Sequence, residues 1–144
     1  MAEPSTRNAV TATPAASAAA AEAHFRALLA FETDCWDVHE AAAGPEPGFV
    51  LLDVRSREAY ASGHLPGARS LPHREIDAPR LAGFSADTLF VVYCAGPHCN
   101  GADRAALRLA RLGRPVKKMI GGITGWLDEG FALATDGQSP AAGL

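Results

Sequence analysis

The stretch VVYCAGPHCNGADRAALRLARLG, Val91–Gly113, decides how the chain is built. A β-branched apolar run ends on Cys94. A loop of small residues follows, carrying Pro97, His98 and Cys99. An alanine-rich helical pattern then runs to Gly113, with Leu107 and Leu109 among its apolar positions. The segment reads as strand, loop and helix, the first half of a parallel unit. In open parallel sheets, ligands bind beyond the C-terminal ends of the strands, and Cys94 is placed there. The loop leads into a helix start, where unpaired N–H groups and the helix dipole favour negative charge. Gly96 and Gly101 let the backbone turn so that several N–H groups of the loop can converge. Such a setting predicts a thiolate with an anion pocket at hand. The alternative is a cysteine that merely finishes a buried strand.

Outward from this segment, strands and helices alternate. FVLLDV, from Phe49, is a continuous apolar run suited to a buried strand. SREAYASG is a short helix with Ser56 as cap and Gly63 as stop. ARSLP is a short strand, and HREIDAPRLAG is irregular with one helical turn. TLFVVYC is the best strand, PVKKMI a weaker one, and GGITGWLDEG a turn and short helix. Lys117 and Lys118 suit a sheet edge, where lysine discourages further pairing. The alternation predicts an α/β fold, a parallel sheet covered on both faces.

Ahead of this lies a different region. Residues 1–17 lack a hydrophobic period and read as a disordered tail, not a leader, because a basic start and leucine-rich run are missing. Residues 18–44 read as an N-terminal helical segment. Phe25, Leu28, Leu29 and Phe31 recur at helical spacing there, and Thr33 or Asp34 caps a second helix with Trp36 facing inward. Residues 45–135 form the main domain, and 136–144 a flexible C-terminal tail. The apolar first helix could support a homodimer.

The 144 residues suit one main domain. A net charge of −3 argues against nucleic acid or an anionic membrane as the main partner. The 3 cysteines are too few and odd in number for a disulfide framework, so a reducing, cytoplasmic setting is the simpler reading. Cys94, His98 and Cys99 match no common zinc spacing, so neither a metal nor a cofactor is called for.

The motifs also carry a resemblance. LLDVRSREAYASGHLPGARSLP (Leu51–Pro72) looks like the N-terminal signature of the rhodanese family. FVVYC with its glycine-containing loop resembles that family's active-site segment, and MIGGITGW (Met119–Trp126) is similar to its closing element. The resemblance implies a three-layer α/β/α fold around a five-stranded, mostly parallel sheet. It implies a sulfurtransferase in which Cys94 takes sulfane sulfur from a small anionic donor such as thiosulfate, becomes a persulfide, and passes the sulfur to a thiol or cyanide-like acceptor. Ala95–Gly101 would be the substrate cradle. Asp53, Arg55 and His64 match framework positions, Asp53 accepting loop amides or pairing with Arg55 or His64.

The loop departs from the family's short form. It is about two residues longer and lacks the arginine and serine at its end, Cys99 and Asn100 standing there instead. The missing arginine counts against the related phosphatase chemistry, in which it grips a tetrahedral anion. Two other readings stand beside the transferase. One is a non-catalytic module that binds an anion or a protein through the loop. The other is a thiol redox switch in which Cys99 closes a disulfide with Cys94. His98, at the loop tip, could lend positive charge or be solvated. His73 and Arg74 could overhang the same rim. Cys35 reads as packing, and Trp126 as a core anchor.

Overall fold

A computed structural model describes residues 8–135. Residues 1–7 of the tail expected at 1–17, and the whole tail expected at 136–144, lie outside the described residues. The chain divides into two compact units, the first to Ala30 and the second from Phe31. The first unit contributes most of α1 (Ala18–Phe31), opened by the Ser17 hydroxyl, which accepts from Ala20 N at 3.1 Å. Helix α1 buries none of its residues.

The second unit is built on five parallel strands: β1 (Glu32–Thr33), β2 (Val50–Asp53), β3 (Arg69–Ser70), β4 (Phe90–Tyr93) and β5 (Val116–Met119), in the order β1-β5-β4-β2-β3. Strand β4 is central and wholly buried, as its unbroken apolar run requires. Alternate residues serve opposite faces. Leu52, Val92 and Phe90 join a core with Leu81 of α4 (Ala78–Leu81) and with Ala105 and Leu109 of α5 (Gly101–Arg111). Leu51, Val91 and Tyr93 join a second core with Val38 of α2 (Cys35–Ala42), Tyr60 of α3 (Arg57–Ser62) and Trp126 of α6 (Gly122–Asp128). Helices thus cover both faces. None among the described residues is long and apolar enough to cross a membrane.

Local chemistry sets the boundaries. Ser56 Oγ accepts from Ala59 N at 3.1 Å to start α3, and Asp34 Oδ1 accepts from Asp37 N at 2.8 Å to start α2. Gly113, at φ 75°, carries the chain off α5 in a conformation that favours glycine.

Three expectations need correction. Lys118 does not lie at a sheet edge: it pairs with Val92 of β4 on one side and Glu32 of β1 on the other, whereas Lys117 pairs with β4 alone. The two residues of β1 are too short to show a period. Lys118 is accommodated by ion pairs to Glu32 at 3.3 Å and Asp103 at 2.9 Å. Trp36 does not face inward; it is 54% exposed and only meets Phe131, with ring centroids 5.9 Å apart. On α2, Cys35 and Val38 take the inner face instead. Leu107 is 50% exposed, because α5 turns Ala102, Ala105 and Leu109 to the sheet.

Candidate active site

The chain leaves β2 outward to β3 and then returns to β4 on the opposite side of β2. This reversal opens a crevice beyond the ends of β2 and β4. Val54–Ser56 follow β2 into it, and Cys94–Ala95 follow β4. The two walls, with His73, Arg74, Cys99, Asn100 and Gly101, line a cavity of about 730 Å³.

Cys94 is held from several sides. Its carbonyl accepts from Ile123 N at 3.1 Å, and the Ala95 carbonyl accepts from Thr124 N at 3.0 Å and Thr124 Oγ1 at 3.2 Å. The GGIT run of the closing motif therefore clamps the start of the loop. Gly122, at φ 58°, makes the approach feasible: a Cβ there would collide with the Cys94 carbonyl and come within 2.8 Å of Gly96 N. Gly101 is equally constrained, since a Cβ on it would stand 2.7 Å from Cys94 Sγ.

The loop folds back through a turn in which Cys99 N donates to the Gly96 carbonyl at 3.1 Å. This brings Cys99 onto Cys94 as a disulfide, with the Cα atoms 6.5 Å apart. Gly101 N, at the start of α5, donates to Cys99 Sγ at 3.4 Å. An amide of the helix start does point at a sulfur, but at Cys99. Cys94 is only 8% exposed and is not a free thiolate in this state. The amides of Cys99 and Gly101 are engaged within the loop. Gly96 is buried, while Pro97, His98 and Asn100 are exposed.

The framework residues separate into two groups. Asp53 is fully buried and paired with Arg55, whose Nη2 lies 2.6 Å from Asp53 Oδ2 and also 2.6 Å from the Gly63 carbonyl. Burial works against the Arg55 charge, but the hydrogen bonds and charge of Asp53 raise its pKa on balance. Asp53 does not pair with His64. The His64 ring stacks on Tyr60, centroids 3.7 Å apart, and its Nδ1 lies 2.8 Å from the Tyr60 carbonyl.

The sequence reading missed Tyr93, taken only as a strand residue. Its hydroxyl donates to Asp53 Oδ2 at 2.6 Å and accepts from Leu65 N at 3.1 Å. A tyrosine ending an otherwise purely hydrocarbon buried strand was the available signal, since a buried hydroxyl needs partners.

His73 and Arg74 do overhang the rim beside Cys94. Burial, then the cations of Arg74, Arg104 and Arg108, hold His73 below its ordinary 6.5. Cys35 packs in the core away from this cavity. Burial, with Asp34, Glu129 and Asp128 nearby, pushes its thiol up to about 11. Trp126 is anchored in the same core, its Nε1 donating to the Ala132 carbonyl at 2.9 Å. Among the described residues no cluster of His, Cys, Asp and Glu is arranged to hold a metal.

Comparison with known proteins agrees with this architecture. The rhodanese-like domain profile matches residues 37–129. A thiosulfate sulfurtransferase, GlpE, of Pseudomonas putida is 36% identical over 83 residues, 56% of this chain and 72% of that enzyme. An HTH-type transcriptional regulator of Mycobacterium tuberculosis is 44% identical over 78 residues, 54% of this chain; the match spans only 34% of the regulator's length. Among solved structures, the BH2092 protein of Bacillus halodurans superposes with a TM-score of 0.80 at 35% identity, covering 83% of this chain and 87% of that one. The rhodanese-like domain of an Anabaena protein gives 0.64 at 25% identity, covering 77% and 85%.

Proposed function

The chain belongs to the rhodanese-like domain family, and on that footing we propose that it is a sulfurtransferase working through a persulfide on Cys94. The observation that carries the reading is the position of Cys94, clamped at the end of β4 on the wall of the switch-point cavity. Likeness to the GlpE enzymes supports thiosulfate as the donor class.

In the reduced protein, the Cys94 thiolate attacks the outer sulfur of thiosulfate. The sulfur–sulfur bond of the donor breaks, sulfite leaves with the electron pair, and Cys94 becomes a persulfide. A nucleophile such as cyanide or a thiolate then attacks the terminal sulfur, and the Cys94 thiolate returns. Arg74, reaching over from the segment after β3, supplies the cation that the loop lacks. The Asp53–Arg55 pair sets the framework of the opposite wall, and Tyr93 ties it to the end of β4. Thiosulfate–cyanide turnover tests the proposal: Cys94→Ser abolishes activity in reduced protein, and Cys99→Ser retains it. Equal activity in Cys94→Ser and the parent overturns it.

The Cys94–Cys99 disulfide favours a second reading, a thiol redox switch on the same site. Two electrons and two protons from a thiol reductant would open it and release the nucleophile. Mass spectrometry of non-reduced peptides after mild peroxide tests this: a Cys94–Cys99 link that forms and reverses with dithiothreitol supports the switch, and its absence removes it.

A further inference from the structure

A second cavity, of about 790 Å³, runs from the cysteine site along α5 and shares His73, Arg74 and Asn100 with it. Arg104, Arg108 and Arg111 recur at helical spacing and line it from α5, spread over about 10 Å of helix axis. Among the described residues, Arg74, Arg108 and Arg111 meet no carboxylate, and Arg104 donates only to Asn100 Oδ1 at 3.2 Å. The acids of this region are already paired: Asp77, itself on the groove wall, with Arg80 at 2.7 Å, Glu75 with Arg57 at 2.9 Å, and Asp103 with Lys118 at 2.9 Å. Leu107, between Arg104 and Arg108, and Leu112, just past Arg111, are both exposed in the same groove.

We propose that this groove docks an acidic segment of a protein partner, with apolar residues among its carboxylates, so that the segment's end reaches the Cys94 cavity. A thiosulfate-sized anion would call for cations gathered at one point, whereas these are strung along a helix with exposed leucines beside them. The exposed leucines of the groove favour an acidic peptide that carries apolar residues over nucleic acid. The partner's role as sulfur donor or acceptor rests on the sulfurtransferase reading; the docking itself does not.

The test uses the reduced full chain and a fluorescein-labelled peptide, Glu-Leu-Glu-Ala-Glu-Leu-Glu, followed by fluorescence anisotropy beside its glutamine counterpart. The glutamate peptide binds at least about tenfold more tightly, and the preference fades as salt rises. Exposed ion pairs are individually weak, so more than one is reversed. In Arg108→Glu/Arg111→Glu, binding falls by about tenfold or more, while thiosulfate–cyanide turnover stays within about twofold of the parent. A milder Arg108→Gln/Arg111→Gln variant with unchanged circular dichroism shows the same direction. Equal binding of the two peptides overturns the proposal. So does binding that is indifferent to charge reversal, or displacement of the peptide by an equal concentration of oligo-dT or ATP. Arginine-dependent peptide binding by a protein that transfers no sulfur upholds the docking and removes only its catalytic use.

Discussion

The Tyr93 hydroxyl donates to Asp53 Oδ2 at 2.6 Å, tying the ends of β4 and β2 together directly behind the site. Tyr93→Phe removes that donor from a buried carboxylate and strips Leu65 N of its acceptor. Leaving buried polar groups unmet costs about 1–3 kcal/mol. Asp53→Ala costs more, about 3–5 kcal/mol, because it leaves the Arg55 guanidinium in a largely buried position without its partner. Urea denaturation of both variants checks the order: Asp53→Ala is the less stable, and the reverse order contradicts the pairing described.

Two glycines determine whether the cysteine loop can close. Gly101→Ala puts a methyl group 2.7 Å from Cys94 Sγ and 3.4 Å from Cys99 Sγ. Overpacking of this kind costs about 1–3 kcal/mol, and a displaced nucleophile slows turnover by about tenfold or more. Gly122→Ala combines a collision with the Cys94 carbonyl and a φ of 58° that side chains rarely adopt. Gly113→Ala serves as a control. It has a positive φ but open space around it, so it lowers stability and leaves turnover unchanged. Thermal melts and kinetics together separate the two effects.

Because Cys94 is bonded to Cys99, activity depends on reduction. The parent protein, oxidised and then freed of oxidant, shows negligible turnover until dithiothreitol is added. Cys99→Ser is active without it. A parent that is fully active while a free-thiol assay still reports the disulfide contradicts the assignment of Cys94 as nucleophile.

Alkali tests the second core. Above pH 9 the unfolded chain gives up the Cys35 proton, whereas the folded chain keeps it until about pH 11. Stability therefore falls as pH rises across that window, by up to about 1.4 kcal/mol per unit. Tyr93, raised by burial and then by Asp53, keeps its proton well beyond the ordinary 10 and extends the fall. Cys35→Ala flattens the curve between pH 9 and 10. An unchanged slope in that variant contradicts the burial of the thiol.

The fold was legible wherever apolar runs and capping residues agreed. FVVY announced the central strand, and Ser56 and Gly63 bounded α3 where expected. The signals failed where tertiary pairing overrides local pattern. Glu32–Thr33 becomes a strand only because β5 offers an open edge, and this puts Lys118 between two strands. Trp36 follows from which face of α2 is turned inward, a choice its short apolar pattern leaves open. At the site, the sequence located Cys94, its loop and the overhanging Arg74. It could not show which sulfur the α5 amide meets, which depends on how the loop folds back, nor that Tyr93 would hold Asp53, which depends on a contact across the sheet.

The central claim is that Cys94 carries the transferred sulfur. Intact-mass and peptide mass spectrometry of reduced protein after brief incubation with thiosulfate tests it most directly. A gain of one sulfur atom on the peptide containing Cys94, lost again on adding cyanide and absent in Cys94→Ser, is the result predicted. No gain, or a gain on Cys35 or Cys99 with Cys94 unmodified, would contradict it.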